Sequence, residues 1–372
     1  MTAEPAGADT RVLVAGGGTA GHLLPGLAVA RELERRGVER DAIHFVGSER
    51  GPEADAVPAA GYGVTLLPGR GIQRRLTTDN LGAVWGLVRA QWQALGLVRR
   101  RRPGVVLSLG GFASAACAVA AVVWRVPLVI ADQNARAGAA NRLVGRFARG
   151  AAVPFAGTDL PNATVTGNPV REEILAVAAH RDRDAARREL DLPLDRTVIA
   201  VFAGSLGSRR INGATYGLVE RWADRDDVAV HHVIGARDWE DRAVDLTSSK
   251  LVYQPIRYQD RMELVLAAAD LAVCRAGGTT VAELAVVGLG AILVPLPIAT
   301  RDHQRYNAGP LVAAGAAVLV PDDELDTDRL ERELLGAMPR AEVMGDAARA
   351  LGRPDAAAAV ADLVLRSARP VP

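Results

Sequence analysis

His22 follows the glycine-rich run Gly16-Gly17-Gly18-Thr19-Ala20-Gly21 and precedes Leu23-Leu24-Pro25. An apolar β-run from Val12 empties into those glycines, so the histidine falls in the first turn of the helix that must follow. A helix N-terminus behind a tight turn presents unpaired N–H groups and attracts anions. Its dipole also lowers the pKa of an imidazole placed there, which favours the neutral, proton-accepting form. The segment thus combines a phosphate cradle with a general base. A histidine that merely caps its helix is the plainer alternative.

A second unit of this kind reads Cys274-Arg275-Ala276-Gly277-Gly278-Thr279-Thr280-Val281-Ala282-Glu283. Gly278, Thr279 and Thr280 would offer N–H and hydroxyl donors to phosphate oxygens. Glu283, one helical turn further in, can accept two hydrogen bonds from a ribose diol, or can simply be a glutamate favoured by the helix dipole. Gly204-Ser205-Leu206-Gly207 supplies a third turn. Three anion-binding turns at strand ends point to a diphosphate-bearing ligand. Gly16-x-Gly18-x-x-Gly21 formally matches the dinucleotide fingerprint, but the second strand ends Phe45-Val46-Gly47-Ser48 with no acidic residue in the expected place. A nicotinamide enzyme is therefore disfavoured. So is a usual glycosidase, because no pair of carboxylates can be picked out.

From Arg70 to Arg102 there are eight arginines and a single acidic residue, Asp79. Within this stretch Leu81, Trp85, Val88, Trp92 and Leu95 recur at helical spacing. One reading is a core-facing helix with a solvated basic end. The other is a surface that touches anionic lipid, with Arg74, Arg75, Trp85, Arg89 and Trp92 as its contacts.

Positioning these residues requires a particular framework. Apolar β-runs alternate with helical patterns along nearly all 372 residues, in two successive series. The first comprises 11–15, 43–46, 64–67, 105–109, 128–130 and 164–166; the second 198–202, 228–234, 251–253, 271–274, 291–294 and 317–319. Strands apolar on both faces belong to parallel sheets covered by helices, so two doubly wound α/β domains are expected. Their boundary is expected at Thr166-Gly167-Asn168-Pro169, giving an N-terminal domain over 11–168 and a C-terminal domain over 169–352. The tail reads as helix broken near Gly352–Pro354.

The formal net charge of +1 argues against nucleic acid as a partner. Arginine supplies the basic residues almost alone, Lys250 being the one lysine, which reflects base composition rather than function. Cys117 and Cys274, both in apolar surroundings, imply neither a disulfide framework nor a zinc site. Glu4 and Asp9 near the start leave no signal-peptide core, and the apolar run 113–124 is too short for a bilayer, which makes it a buried helix.

Taken together these segments resemble the MurG family, glycosyltransferases that complete the lipid-linked peptidoglycan precursor. The resemblance rests on Gly17-Gly-Thr-Ala-Gly-His-Leu-Leu-Pro-Gly26, Leu109-Gly-Gly-Phe-Ala-Ser114 and Gln133-Asn-Ala-Arg-Ala-Gly-Ala-Ala-Asn-Arg142. Gly167-Asn-Pro-Val-Arg171, Gly204-Ser-Leu-Gly-Ser-Arg-Arg-Ile-Asn212, Cys274-Arg-Ala-Gly and Asp302-His-Gln-Arg-Tyr-Asn-Ala308 continue it. It implies a GT-B fold, two Rossmann-like domains facing across a cleft, with a C-terminal helix at about 353–369 returning to the first. It implies inverting transfer of GlcNAc from UDP-GlcNAc to the C4 hydroxyl of MurNAc in undecaprenyl-diphosphate-MurNAc-pentapeptide, at the cytoplasmic face of the cell membrane.

By motif position, the resemblance gives His22 the role of base. Donor contacts fall on Thr19, Ala20, Gly21, Asn134, Arg171, Gly204, Ser205, Gly278, Thr279, Thr280, Glu283, His303 and Gln304. Gly110, Gly111 and Ser114 would hold the acceptor diphosphate. No Asp-x-Asp motif follows a strand near the turns, so no metal is expected on the donor, while a divalent ion at the acceptor diphosphate stays open. The chain departs from the family in having Ala131-Asp132 for His-Glu, Ala20 for a glycine, and Gln259 for an apolar residue of the uracil loop. Two rival readings are a related transferase acting on a soluble natural product and a non-catalytic nucleotide-sugar-binding module.

Overall fold

The computed structural model describes residues 10–18, 20–49, 51–68, 79–204, 206–240 and 249–369. Thr19, Arg74, Arg75 and Ser205 lie outside the described residues. The chain divides into two compact units, one of residues 1–171 with 353–372 and one of residues 172–352.

The first unit is built on strands β1 (Val12–Gly16), β2 (Ile43–Ser48), β3 (Gly63–Leu67), β4 (Val105–Gly110), β5 (Leu128–Ala131), β6 (Gly150–Val153) and β7 (Ala163–Val165). They form one parallel sheet in the order β3-β2-β1-β4-β5-β6-β7. Helices α1 (Ala20–Arg35), α2 (Glu53–Ala59), α3 (Asp79–Arg101), α4 (Phe112–Val123) and α5 (Ala139–Gly145) connect them. Val12 of β1 pairs with Ile43 on one side and Val105 on the other, so the order reverses between β1 and β4. At such a switch point two successive loops diverge at the carboxyl ends of the strands, where doubly wound sheets bind ligands.

The second unit repeats the plan. Helices α6 (Glu172–Ala179) and α7 (Arg183–Glu189) lead into β8 (Thr197–Phe202), α8 (Arg209–Arg221), β9 (Val228–Val233), β10 (Val252–Ile256), α9 (Met262–Ala268) and β11 (Leu271–Cys274). Then come α10 (Gly278–Val287), β12 (Gly290–Leu293), α11 (His303–Ala313), β13 (Ala317–Leu319), α12 (Thr327–Ala337) and α13 (Ala341–Leu351). The parallel order is β10-β9-β8-β11-β12-β13, with its switch between β8 and β11. A last helix, α14 (Ala356–Ser367), belongs to the first unit. There Val360, Ala361 and Val364 join Val12, Val14 and Leu33 in one core, and Arg36 after α1 pairs with Asp362.

Three findings depart from the sequence reading. Strand β6 was not expected, because Gly150-Ala-Ala-Val153 has almost no branched or aromatic bulk. Its small residues admit α14, and a Cβ on Gly150 would come within 2.8 Å of Leu363 Cδ1. Strand β10 runs through Pro255, which an edge strand tolerates because one side has no ladder to supply. On α3 the core-facing stripe is Ala90, Ala94, Leu97 and Val98, whereas Trp85 and Trp92 are 65% and 72% exposed. Small residues seat the helix on α4, and the indoles turn outward, so the core-facing reading of the tryptophan stripe fails.

Candidate active site

In the first unit two loops meet at the switch point. After β1 the chain turns through Gly17 and Gly18 into α1, and after β4 through Gly110 and Gly111 into α4. Both Gly110 and Gly111 have positive φ, at 99° and 84°. A Cβ on Gly111 would stand 2.3 Å from the Gly17 carbonyl oxygen, and one on Gly110 would stand 3.2 Å from His22 Nε2. Only glycine permits this backbone conformation and this approach. The half-buried imidazole of His22 therefore lies against the Gly110 turn.

The amides of this site are not all turned toward a ligand. Glu53, a carboxylate only 2% exposed, accepts from Gly18 N at 3.0 Å and from Ser48 N at 3.4 Å. Glu53 thus braces the glycine turn from beneath, and the Gly18 N–H expected in a phosphate cradle is spent inward. Among the described residues, the first-turn amides of α4 are anion-ready, because its N-cap Gly111 provides no side-chain acceptor. Ser114 is fully buried and its hydroxyl accepts from Gly110 N at 3.1 Å, so it holds the turn instead of facing outward. Asn134 N donates to Asp132 Oδ1 at 3.1 Å, and Arg171 lies half-buried at the start of α6.

In the second unit the turns after β8 and β11 flank the other switch point. Helix α10 begins behind Gly277, which provides no side-chain cap, so the amides of Gly278, Thr279 and Thr280 await an external acceptor. Glu283 is half-buried one turn in; burial, and then its charge, pushes the Cys274 thiol up. Arg275 locks the two turns together. Its guanidinium donates to Ser208 Oγ at 2.6 Å, to Asp322 Oδ1 at 2.6 Å, and to the carbonyls of Val294 and Pro295.

Gln304 lies close by, but its oxygen accepts from Ala276 N at 3.2 Å and Leu296 N at 2.9 Å, leaving only the amide nitrogen for a ligand. His303 Nδ1 donates to the Thr300 carbonyl at 2.9 Å, which aims Nε2 outward as an acceptor in the neutral ring. Arg301 and Asp302, just before it, both adopt left-handed φ, at 58° and 55°. Two non-glycine residues in succession with left-handed φ store strain in this loop.

Sequence reasoning did not find Glu53, Arg275, Ser108 or Asn141, whose importance is set by partners distant in the chain. Three of the other four histidines are structural, and His180 is exposed. His44 bonds Thr65 at 2.8 Å, His231 bonds Gln254 at 2.6 Å, and His232 bonds Tyr253 and Asn212 at 3.0 Å each. A cavity of about 700 Å³ opens at the amino ends of β8 and β11, away from the turns. Two of its arginines are occupied with structure: Arg181 donates to the carbonyls of Ala267 and Ala269, and Arg187 to that of Ala268. They cap the carboxyl end of α9.

Comparison with known proteins agrees with this architecture. Residues 12–153 match the model of the glycosyltransferase family 28 N-terminal domain, and residues 198–361 that of its C-terminal domain. The chain is 43% identical over 365 residues to a UDP-N-acetylglucosamine--N-acetylmuramyl-(pentapeptide) pyrophosphoryl-undecaprenol N-acetylglucosamine transferase of Alkalilimnicola ehrlichii, covering 96% of this chain and 99% of that one. The solved MurG of Acinetobacter baumannii superposes with a TM-score of 0.74 at 23% identity, over 95% of this chain and 99% of that one. A UDP-GlcNAc 2-epimerase from Neisseria meningitidis, solved bound to UDP-GlcNAc, reaches 0.66 at 16% identity, over 95% and 99%. The fold is thus shared with enzymes of another reaction class, and the near full-length sequence identity decides between them. On that identity, both family 28 domains and the paired switch-point turns, the chain belongs to the MurG family of glycosyltransferases.

Proposed function

We propose that this protein moves GlcNAc from UDP-GlcNAc to the C4 hydroxyl of MurNAc in undecaprenyl-diphosphate-MurNAc-pentapeptide, inverting the anomeric carbon. The observation that carries this reading is the 43% identity across 96% of the chain to the transferase of that specificity. In this reading the α10 amides with Thr279 and Thr280 hold the donor diphosphate, aided by Gly204, Ser205 and Arg171. Glu283 accepts from the ribose hydroxyls. Asn134, His303 and the Gln304 amide nitrogen contact the sugar, and Thr19, Ala20 and Gly21 add backbone groups. The acceptor diphosphate takes the amides at Gly110, Gly111 and the start of α4, with Ser114 fixing the turn from within.

His22 takes the proton of the acceptor hydroxyl as that oxygen bonds to the anomeric carbon. The bond from that carbon to the phosphate oxygen breaks, and UDP leaves with the electron pair. A base placed within hydrogen-bond reach is worth about a hundredfold or more in rate. Charge grows on the departing diphosphate, and preorganised amides stabilise it by roughly 3 kcal/mol per donor. In this reading the donor's charge is met by N–H groups, so donor binding needs no metal; a divalent ion, if bound, would serve only to neutralise charge on the acceptor diphosphate.

No helix among the described residues is long and apolar enough to cross a membrane. Trp85, Arg89 and Trp92, with Arg74 and Arg75 beside them in sequence, form the membrane contact in this reading, each arginine adding about 1 kcal/mol at an anionic surface. That makes the protein peripheral, at the cytoplasmic face. Incubation of the pure protein with labelled UDP-GlcNAc and the lipid-linked MurNAc-peptide should yield the labelled disaccharide lipid. UDP binding without that product would overturn the assignment.

A further inference from the structure

Asp132 stands where no sequence pattern gave it a role, yet it anchors a chain of buried hydrogen bonds. Its Oδ1 accepts from Asn134 N at 3.1 Å; its Oδ2 accepts from Gly138 N and from Asn141 Nδ2, both at 2.9 Å. The carboxylate can only accept, so the Asn141 amide is oriented with its nitrogen toward Asp132 and its oxygen away. That oxygen lies 3.0 Å from Ser108 Oγ, which must donate to it. Ser108 has one proton, so across the 2.6 Å contact with Ser114 it is Ser114 that donates. The Ser114 oxygen is then left as an acceptor, and it receives the Gly110 N–H.

Every member is buried: Asp132 is 6% exposed, Asn141 and Ser108 1% each, and Ser114 0%. No water competes for these bonds, and each donor direction follows from the one before. At its far end the chain fixes the Gly110 turn, against which His22 Nε2 rests, while Asp132 itself holds the Asn134 loop.

We propose that Asp132 is a positioning residue: through Asn141, Ser108 and Ser114 it sets the direction of every hydrogen bond leading to Gly110 and so fixes the bed of His22. This rests on the transferase reading given above, but its physical content does not depend on it. Asp132→Asn can keep its oxygen toward Gly138 and Asn141, giving up only the Asn134 N–H and leaving the direction of the chain intact. Asp132→Ala instead removes the acceptor on which the Asn141 orientation depends; once that amide flips, the chain runs backwards and the Ser114 proton competes with Gly110 N–H. In the exchange Asp132→Asn/Asn141→Asp, the new carboxylate at position 141 accepts from both Ser108 and the new side-chain amide at position 132, and the original direction returns.

The test follows the ¹³C chemical shift of the His22 imidazole, assigned with His22→Ala, together with steady-state turnover of UDP-GlcNAc and the lipid-linked acceptor. Asp132→Ala should move the His22 signal and lower kcat/KM for the acceptor by about tenfold or more. The exchange variant should return both toward wild type, and Ser114→Ala, which cuts the chain at its last link, should move the His22 signal whether or not Asp132→Ala folds. An unmoved His22 signal in the folded single variants, or an exchange variant no better than Asp132→Ala alone, would overturn the proposal. The chemical shift reports on the chain even if the acceptor proves to be different, so failure of the transferase reading shows separately, as absent turnover by the wild type.

Discussion

His22 and Gly110 constrain each other, because the imidazole occupies the space a side chain at 110 would need. In the transferase reading, His22→Ala removes the base and leaves the donor amides untouched. Turnover should fall by roughly a hundredfold or more while UDP-GlcNAc affinity changes little; single-turnover rates and calorimetric titration measure the two separately. Gly111→Ala should do its damage differently. It combines a left-handed φ with a 2.3 Å approach to the Gly17 carbonyl, so it should lower stability by about 1–3 kcal/mol, read as the urea unfolding midpoint. His22 and the three turns were legible in the sequence because they follow strands directly, in motifs that are local. Glu53, Arg275 and Asn141 were not, since each has a partner 33 or more residues away. A lone polar letter gives no hint of such a partner. Gln304 shows the converse: its motif was plain, but which end of its amide faces inward depends on Ala276 and Leu296.

Helix α3 is the element whose behaviour differs most from its pattern. Its tryptophans recur at core-like spacing, yet Ala90 and Ala94 take the buried face and the indoles stand in solvent. Periodicity reports that a helix has two faces; it cannot say which face a neighbour covers when one is built from alanines. The adjoining Trp124 indole donates to the Leu95 carbonyl at 3.0 Å and carries Arg99 over its ring at 5.4 Å, extending an aromatic and basic surface. In the transferase reading these exposed indoles are the membrane-facing surface. Trp85→Ser/Trp92→Ser should therefore leave the unfolding midpoint nearly unchanged while reducing co-sedimentation with anionic vesicles severalfold. Equal binding by the variant and wild type would remove α3 from the membrane contact. The strands of both central sheets were legible within a residue or two, because βα alternation with apolar strands has few other meanings. The exceptions were the far end of β10, which runs on through Pro255 to Ile256, and strand β6, its small residues being set by the closeness of α14.

On the scale of the whole molecule, buried imidazoles couple stability to acidity. Burial, with Arg101 nearby, lowers the pKa of His44 to about 4, and burial beside His231 lowers that of His232 to about 3. Both are neutral in the fold, whereas in the unfolded chain they protonate below about pH 6.5. The unfolded chain therefore binds more protons as the pH falls, and the contribution of these two groups to stability is complete above about pH 6.5 and is lost toward pH 4 for His44 and pH 3 for His232. The slope should be about 1.4 kcal/mol per pH unit for each group, measurable by urea unfolding between pH 7 and 5 and flattened in His44→Gln. Deletion of α14 should be as damaging as a core lesion, because Val360, Ala361 and Val364 are wholly buried; thermal unfolding of a chain ending at residue 353 checks this. The same helix has a consequence for biogenesis. Translation delivers residues 172–352 before it delivers α14, so the middle of the chain can finish folding on the ribosome while the earlier-made sheet waits with one flank uncovered. Nascent chains should accordingly need a chaperone for their first half until α14 has been made.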